Sequence, residues 1–253
     1  GADGLFVQRP ETSKHAGNLK AGDVRKRAYM NILLWGTFRD AARIARELGL
    51  RGEAEAAEAR AGALREAVYA RLWDEAGGHF REAVETPGFG AEANALALAM
   101  GLVTAGEARR IAPQFKRIGH GKFQSLASRG LFEYGFARAG LQMLFDHNWL
   151  KLLDERWQGA WTTTECMGMM TKGWGDESHP DTAVAGHFSG YLLGVEPVEP
   201  GYRRFAVRPR PAGGLRWAKG VVPTPRGPVA AAWRLEEDGT FRVSFNVPEG
   251  TAA

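Results

Sequence analysis

From Arg25 onward, apolar residues fall at three- and four-residue steps: Met30, Leu34, Phe38, Ala41, Ala45 and Leu48. That is the period of an amphipathic helix with one buried face, and it predicts a first helix that stops at Gly49. After Leu50, Arg51 and Gly52 the same steps recur at Ala57, Ala61, Leu64, Val68 and Leu72, predicting a second helix to about Trp73 and hence a helical hairpin. The stretch DEAGGHFREAVETPGFG then reads as a Gly-rich connection. Helices are predicted at about 91–102, where AEANALALAMGL is rich in small residues, and at about 105–115. A second Gly-bearing connection, RIGHGKFQS, precedes helices at about 125–139 and 141–156, divided by Gly140. A seventh helix at about 181–193 ends at Gly194.

Helical hairpins in series, separated by Gly-rich connections, suggest an α/α toroid in which inner helices line a core and loops at one rim make a site. A superhelical solenoid is the other architecture, but the fixed-length repeat such arrays show is missing. After Pro197 and Pro200 the texture changes to RFAVRP, LRWAKGVVPTP, GPVAAAWRLEE and TFRVSFNV. These short runs of β-branched and aromatic residues, punctuated by Pro, Gly and an Asp238-Gly239 hairpin signal, predict antiparallel strands. Four strands are marginal alone, so they pack on the helices or belong to an incomplete β-sandwich. The expected fold class is mainly α with a C-terminal β region: helical hairpins of a partial α/α toroid over 1–198, then sandwich strands over 199–253.

Composition changes this picture little. A 44% hydrophobic content in 253 residues supplies a real core. The longest apolar runs, such as ILLW at 32–35, fall far short of the roughly 18 to 20 residues that span a bilayer, so no membrane partner is expected. The net charge of +4 comes mostly from Arg scattered among Ala and Glu, without a one-signed stripe, and no nucleic-acid partner is expected either. The single cysteine, Cys166, excludes an internal disulfide and leaves the compartment, cytoplasmic or secreted, open. Six histidines show no ligand spacing with Cys or acids, so no metal and no cofactor is expected. The chain opens on GADGLFVQ, without Met, and closes on a turn-like PEGTAA, which suggests a piece of a longer polypeptide.

Chemistry concentrates between Trp157 and Pro197, in WQGAWTTTECMGMMTKGWGDESHPDTAVAGHFSGYLLGVEP. Trp157, Trp161, Trp174, Glu165, Asp176, Glu177, His179 and His187 lie here among Gly and Thr, between helices and strands. Aromatic faces offer apolar platforms with polar edges, carboxylates offer proton transfer, and sugars need both. Cys166 reads as a small packed residue and His187 as a core residue of the apolar helix. Asp176 and Glu177 either share a site with Glu165, raising its pKa by like-charge repulsion, or cap the helix that begins near Pro180.

The order GAWTTTE at 159–165, SH at 178–179, HFSGYLLGVEPVEPGYRRFAVRP at 187–209 and LRWAKGVVPTPRGPVAAAW at 215–233 resembles the inverting α-L-rhamnosidases. These are glycoside hydrolases built on an (α/α)6 six-hairpin barrel with β-sandwich domains around it. The resemblance covers most of the chain and is densest from Gly159 onward. It implies that Glu165 is the general base that activates water and that Trp161, Trp174 and His179 contact the sugar, although each tryptophan reads equally as a plug of the loop into the barrel rim; Asp176, by its closeness to Glu165 in sequence, is a further candidate for substrate contact. An inverting hydrolase needs two carboxyl groups roughly 6.5 to 9.5 Å apart. The family's general acid lies in an Asp- and Arg-rich motif upstream, which these residues lack, so the chain is expected to be a C-terminal portion, inactive alone and dependent on a missing N-terminal part. The family usually places an aromatic before the glutamate and Gly-Trp after Ser-His, where this chain has Thr164 and Pro180-Asp181. The implied substrate is a rhamnose-containing glycoside or polysaccharide. A non-catalytic carbohydrate-binding module, and a related α/α-barrel hydrolase of other sugar preference, stay open as alternatives.

Overall fold

The helical periodicity is realised first in a pair of long helices, α1 (Ala28–Glu47) and α2 (Arg51–Leu72), that pack as a hairpin around Gly49, whose φ of 74° suits the tight reversal. A computed structural model of the chain describes residues 2–7, 27–115, 121–145 and 185–253. They fall in two compact units, Gly1–Ile118 and Gly119–Ala253.

The face that α1 buries differs from the expected stripe. Ala28, Ile32, Trp35, Ala42 and Ala45 are buried, while Leu48 is 67% exposed. Two apolar stripes compete in AYMNILLWGTFRDAARIA, and the winning one contains a polar residue and a glycine. Asn31, fully buried, accepts from the Phe6 N–H through Oδ1 at 2.7 Å and donates through Nδ2 to the carbonyls of Phe6 (3.2 Å) and Arg27 (2.9 Å). Gly36 leaves room for the Met100 side chain, which a Cβ there would displace.

The Gly-rich stretch after α2 is an antiparallel meander instead of an irregular connection: β1 (Trp73–Asp74), β2 (His79–Ala83) and β3 (Thr86–Phe89). Each strand is short and β2 mixes His, Arg and Glu into its pattern, so alternation in the sequence is faint. What holds it is tertiary. Phe80, Tyr69 and Trp73 interlock with ring centroids 4.9 to 5.9 Å apart. Asn94 clamps the Phe80 backbone, accepting from its N–H at 3.0 Å and donating to its carbonyl at 2.8 Å. Asn94 lies on α3 (Ala91–Ala99), which is buried from Ala93 to Ala99, in keeping with its small apolar residues, and packs on α1. α4 (Ala105–Ile111) starts on a capping box, with the Thr104 hydroxyl accepting from the Glu107 N–H and the Glu107 carboxylate accepting from the Thr104 N–H.

In the second unit, α5 (Gly121–Glu133) and α6 (Ala137–Phe145) form another hairpin. Its break is at Gly135, with φ 84°, and not at Gly140. Gly140 lies inside α6, where the absence of a Cβ admits Phe132, and its carbonyl accepts from the Ser128 hydroxyl at 2.9 Å. The continuation of that helix to 156 lies outside the described residues, as does the start of the next. α7 (Ala185–His187) continues as a π-helical turn over Phe188–Leu192, closed by the Leu193 N–H on the Phe188 carbonyl at 2.7 Å.

Gly194, φ 85°, then turns the chain into β4 (Val195–Pro197), which pairs antiparallel with β5 (Phe205–Val207). RFAVRP therefore pairs with Val195–Pro197 and does not join the other strands as a fourth member. Those strands, β6 (Trp217–Val222), β7 (Val229–Leu235) and β8 (Phe241–Phe245), form a separate antiparallel sheet, with the Asp238-Gly239 turn between β7 and β8. Val222, Val229 and Ala231 pack with Leu193, Val195 and Phe205 into one core. Trp233, 2% exposed, donates its indole N–H to the Leu192 carbonyl.

Candidate functional site

Trp161, Glu165, Trp174, Asp176 and His179, with Cys166 and Glu177, lie outside the described residues, in 146–184. The structure therefore brings none of them together. It does fix the elements through which the chain enters and leaves this stretch. Leu141 and Leu144 of α6 share one apolar cluster with Phe132 of α5 and with Tyr191 and Leu192 of the π-helical turn. Phe132 and Tyr191 stack at 4.9 Å with their planes 8° apart. The Gln124 amide donates to the Met143 carbonyl at 3.2 Å, tying α5 to the end of α6. His187 is 6% exposed, with its ring 5.5 Å from Tyr191.

Beside this cluster, within the second unit, lies a polar cleft of about 610 Å³ bordered by Arg129, Glu133, His187, Tyr191, Glu196 and Tyr202. Its side chains converge from three elements. Glu133 ends α5, Tyr191 is carried on the π-helical turn, and Glu196 is central in β4. A fourth residue, Arg210, arrives after β5 because the Arg208 and Arg210 N–H groups bond to the carbonyls of Gly194 and Tyr191, at 2.7 and 2.9 Å. A Cβ on Gly194 would collide with the backbone of Arg208 and Pro209, so this close return of the chain requires glycine.

The Tyr191 hydroxyl donates to Glu133 Oε1 at 2.7 Å, and the Arg210 guanidinium lies 4.7 Å over the Tyr191 ring. Arg210 is 3.0 Å from Glu196 Oε1 and 3.8 Å from Glu133 Oε2, bridging two carboxylates. Burial pushes the Glu196 carboxyl above the usual carboxylate range; Arg210 pulls it back, and the neighbouring Glu133 charge adds to the rise. Burial also pushes the Tyr191 phenol up, reinforced by its bond to Glu133, so it stays a donor. The cleft thus combines two carboxyls, one of them raised by burial, with the Tyr191 ring, and Arg210 stands beside it bridging the two carboxylates. Glu133 and Arg210 carry no local motif, and Glu196, though inside the stretch HFSGYLLGVEPVEPGYRRFAVRP, is not marked there for chemistry; the hint in sequence is their position on either side of the π-helical turn. Among the described residues no group of His, Cys, Asp and Glu is placed to hold a metal ion.

With this geometry in view, the likenesses to known proteins fall into place. The mannosylglycerate hydrolase MGH1-like glycoside hydrolase domain matches residues 3–114, and the bacterial alpha-L-rhamnosidase C-terminal domain matches residues 194–253. An alpha-L-rhamnosidase of Alteromonas sp. (strain LOR) is 37% identical over 62 residues, 24% of this chain and 7% of that protein. The GH78 family rhamnosidase of Bacillus sp. GL1 superposes with a TM-score of 0.70 at 23% identity, covering 90% of this chain and 26% of that one. The alpha-L-rhamnosidase from Dictyoglumus thermophilum gives 0.69 at 20% identity, covering 87% and 26%. The chain spans only a small share of these relatives, and its order of elements, helical hairpins followed by antiparallel strands, is like theirs. Residues 194–253 thus resemble the C-terminal domain of bacterial α-L-rhamnosidases, residues 3–114 resemble a glycoside hydrolase domain, and the chain as a whole is similar in fold to α-L-rhamnosidases.

Proposed function

We propose that the chain is part of an inverting glycoside hydrolase that releases terminal α-L-rhamnosyl residues from rhamnose-containing glycosides or polysaccharides. The observation that carries this reading is placement in sequence. GAWTTTE, ending at Glu165, lies between a glycoside hydrolase domain match that ends at 114 and a rhamnosidase C-terminal match that begins at 194. In this reading residues 1–198 contribute helical hairpins of the barrel and 199–253 contribute sandwich strands.

Glu165 accepts a proton from water, and the water attacks the anomeric carbon from the face opposite the leaving oxygen. A carboxylic acid outside these 253 residues protonates that oxygen, so the configuration inverts. Trp161 and Trp174 present apolar faces to the methyl-bearing side of the 6-deoxy sugar, and His179 and Asp176 hydrogen-bond its hydroxyls.

The test uses an aryl α-L-rhamnoside and two proteins: this chain, and the chain joined to its preceding segment. The expected result is hydrolysis by the longer protein only, with kcat reduced about 10² to 10⁴-fold by Glu165→Gln. Azide should restore turnover to Glu165→Ala and give a glycosyl azide of inverted configuration by NMR. Hydrolysis by the 253-residue chain alone would overturn the need for a partner acid. Full activity in Glu165→Gln would remove Glu165 from the mechanism.

A further inference from the structure

The sheet β6–β7–β8 treats its two tryptophans in opposite ways. Trp233 belongs to the core face, while Trp217 is 56% exposed. The register sets Trp217 opposite Arg234, and Arg234 opposite Arg242; the next row is Lys219, Ala232 and Ser244. Residues directly opposite one another share a face, so these six, with the exposed Val221 and Ala230 of the following row, form the outer surface of the sheet. Small Ala232 in the central strand leaves a trough of about 680 Å³, with Trp217 and Lys219 on one bank and Arg242 and Ser244 on the other.

An exposed indole forgoes the stabilisation that Trp233 obtains by burial. Arg234 and Arg242 directly opposite each other repel. Arg242 is 3.5 Å from Glu236, whereas among the described residues Lys219 and Arg234 pair with no carboxylate. A face that sets Lys219 and Arg234, without carboxylate partners among the described residues, beside a flat aromatic is complementary to a ligand with an apolar ring face and carboxylates.

We propose that the outer face of β6–β7–β8 binds a uronic-acid-bearing oligosaccharide. A pyranose ring stacks on Trp217, carboxylates of neighbouring sugar units engage Lys219 and Arg234, and Ser244 hydrogen-bonds a hydroxyl across the trough. A single-stranded nucleic acid fits less well, because such strands use aromatics in succession and Trp217 is the only aromatic on this face; Phe241 and Phe245 belong to the opposite one by register. The proposal goes beyond the hydrolytic reading and stands without it, since binding here needs no turnover.

The test is calorimetric titration of the 253-residue chain with a tetramer of galacturonic acid, a neutral galactose tetramer and a short oligothymidylate. The acidic tetramer should bind more tightly than the neutral one, and its binding should weaken as salt is raised from about 50 mM to about 500 mM. Trp217→Ala should lower its affinity by about tenfold or more, and the double change Lys219→Ala, Arg234→Ala should abolish the salt dependence. Circular dichroism melting confirms that these surface variants fold. Equal binding of acidic and neutral tetramers, no binding of the acidic one, or unchanged affinity in Trp217→Ala would overturn the proposal. So would tighter binding of the oligothymidylate with the same dependence on Trp217.

Discussion

The polar interiors of the two units are built from different chemistry. In the first, Asn31 and Asn94 occupy the same place, the fourth residue of α1 and of α3, and make the same three bonds. Each donates to the carbonyl one helical turn back and clamps both backbone groups of a phenylalanine, Phe6 or Phe80. In the second unit the polar cluster is Glu133, Glu196, Arg210 and Tyr191, half-buried along a cleft and carrying charge. A neutral amide does not change charge with pH, and these two make their bonds within the fold. Carboxylates with lone pairs left over can titrate and can meet a ligand. The contrast separates a polar group that specifies the fold from one that is available for chemistry.

Breaking a clamp should have the largest effect. Asn94→Ala leaves the buried Phe80 N–H and carbonyl unpaired and should cost about 3 kcal/mol in urea unfolding. Asn31→Ala, whose partner Phe6 is 38% exposed, should cost about 2 kcal/mol. A loss below about 1 kcal/mol for Asn94→Ala would erase the distinction. Tyr191→Phe keeps the stack on Phe132 and removes only the bond to Glu133, so about 1 kcal/mol is expected.

Glu196 sharpens the comparison through pH. Its folded pKa lies above the unfolded value, so the folded state holds the proton more tightly. Its contribution is fully present below the unfolded pKa, near 4.5, and is lost as pH rises through the folded one. Glu196→Gln should flatten that fall in thermal melts taken from pH 4 to 7, with a change of about 1 kcal/mol or less because the group is partly solvent-screened. Neither asparagine variant should alter the pH profile. The smallest effect belongs to Glu75, whose carboxyl the exposed Arg110 holds below the usual range. Glu75→Gln should leave the melting temperature unchanged within error, since exposed ion pairs contribute little.

This contrast also explains what could be read from the sequence. α2 announces itself because its buried positions are apolar, and α3 because apolar residues surround its single buried polar one, Asn94. The buried stripe of α1 is misread because it runs through Asn31 and Gly36, residues whose value depends on Phe6 and Met100 far along the chain. β1–β3 escape notice for the same reason: Asn94 and the Tyr69, Trp73 and Phe80 rings hold them, and alternation within the strands is too brief to show. The resemblance named Glu165 and its neighbours through a contiguous motif. Glu133, Glu196 and Arg210 are marked for chemistry by no such motif and become a group only when α5, the π-helical turn and β4 are folded together. Trp217 was legible as a strand residue, but its outward direction needed the register.

The π-helical turn at Phe188–Leu192 holds one residue more per turn than an α-helix would. The extra residue rotates the side chains at the end of the turn, Tyr191 and Leu192, by about 100° from where an uninterrupted α-helix would place them. Removing a single residue from the turn would swing Tyr191 off Phe132 and Glu133, while the helix itself stayed intact. Chain length at this point is therefore a dial on the cleft, and descendants that differ by one residue here would keep the scaffold and present a different wall.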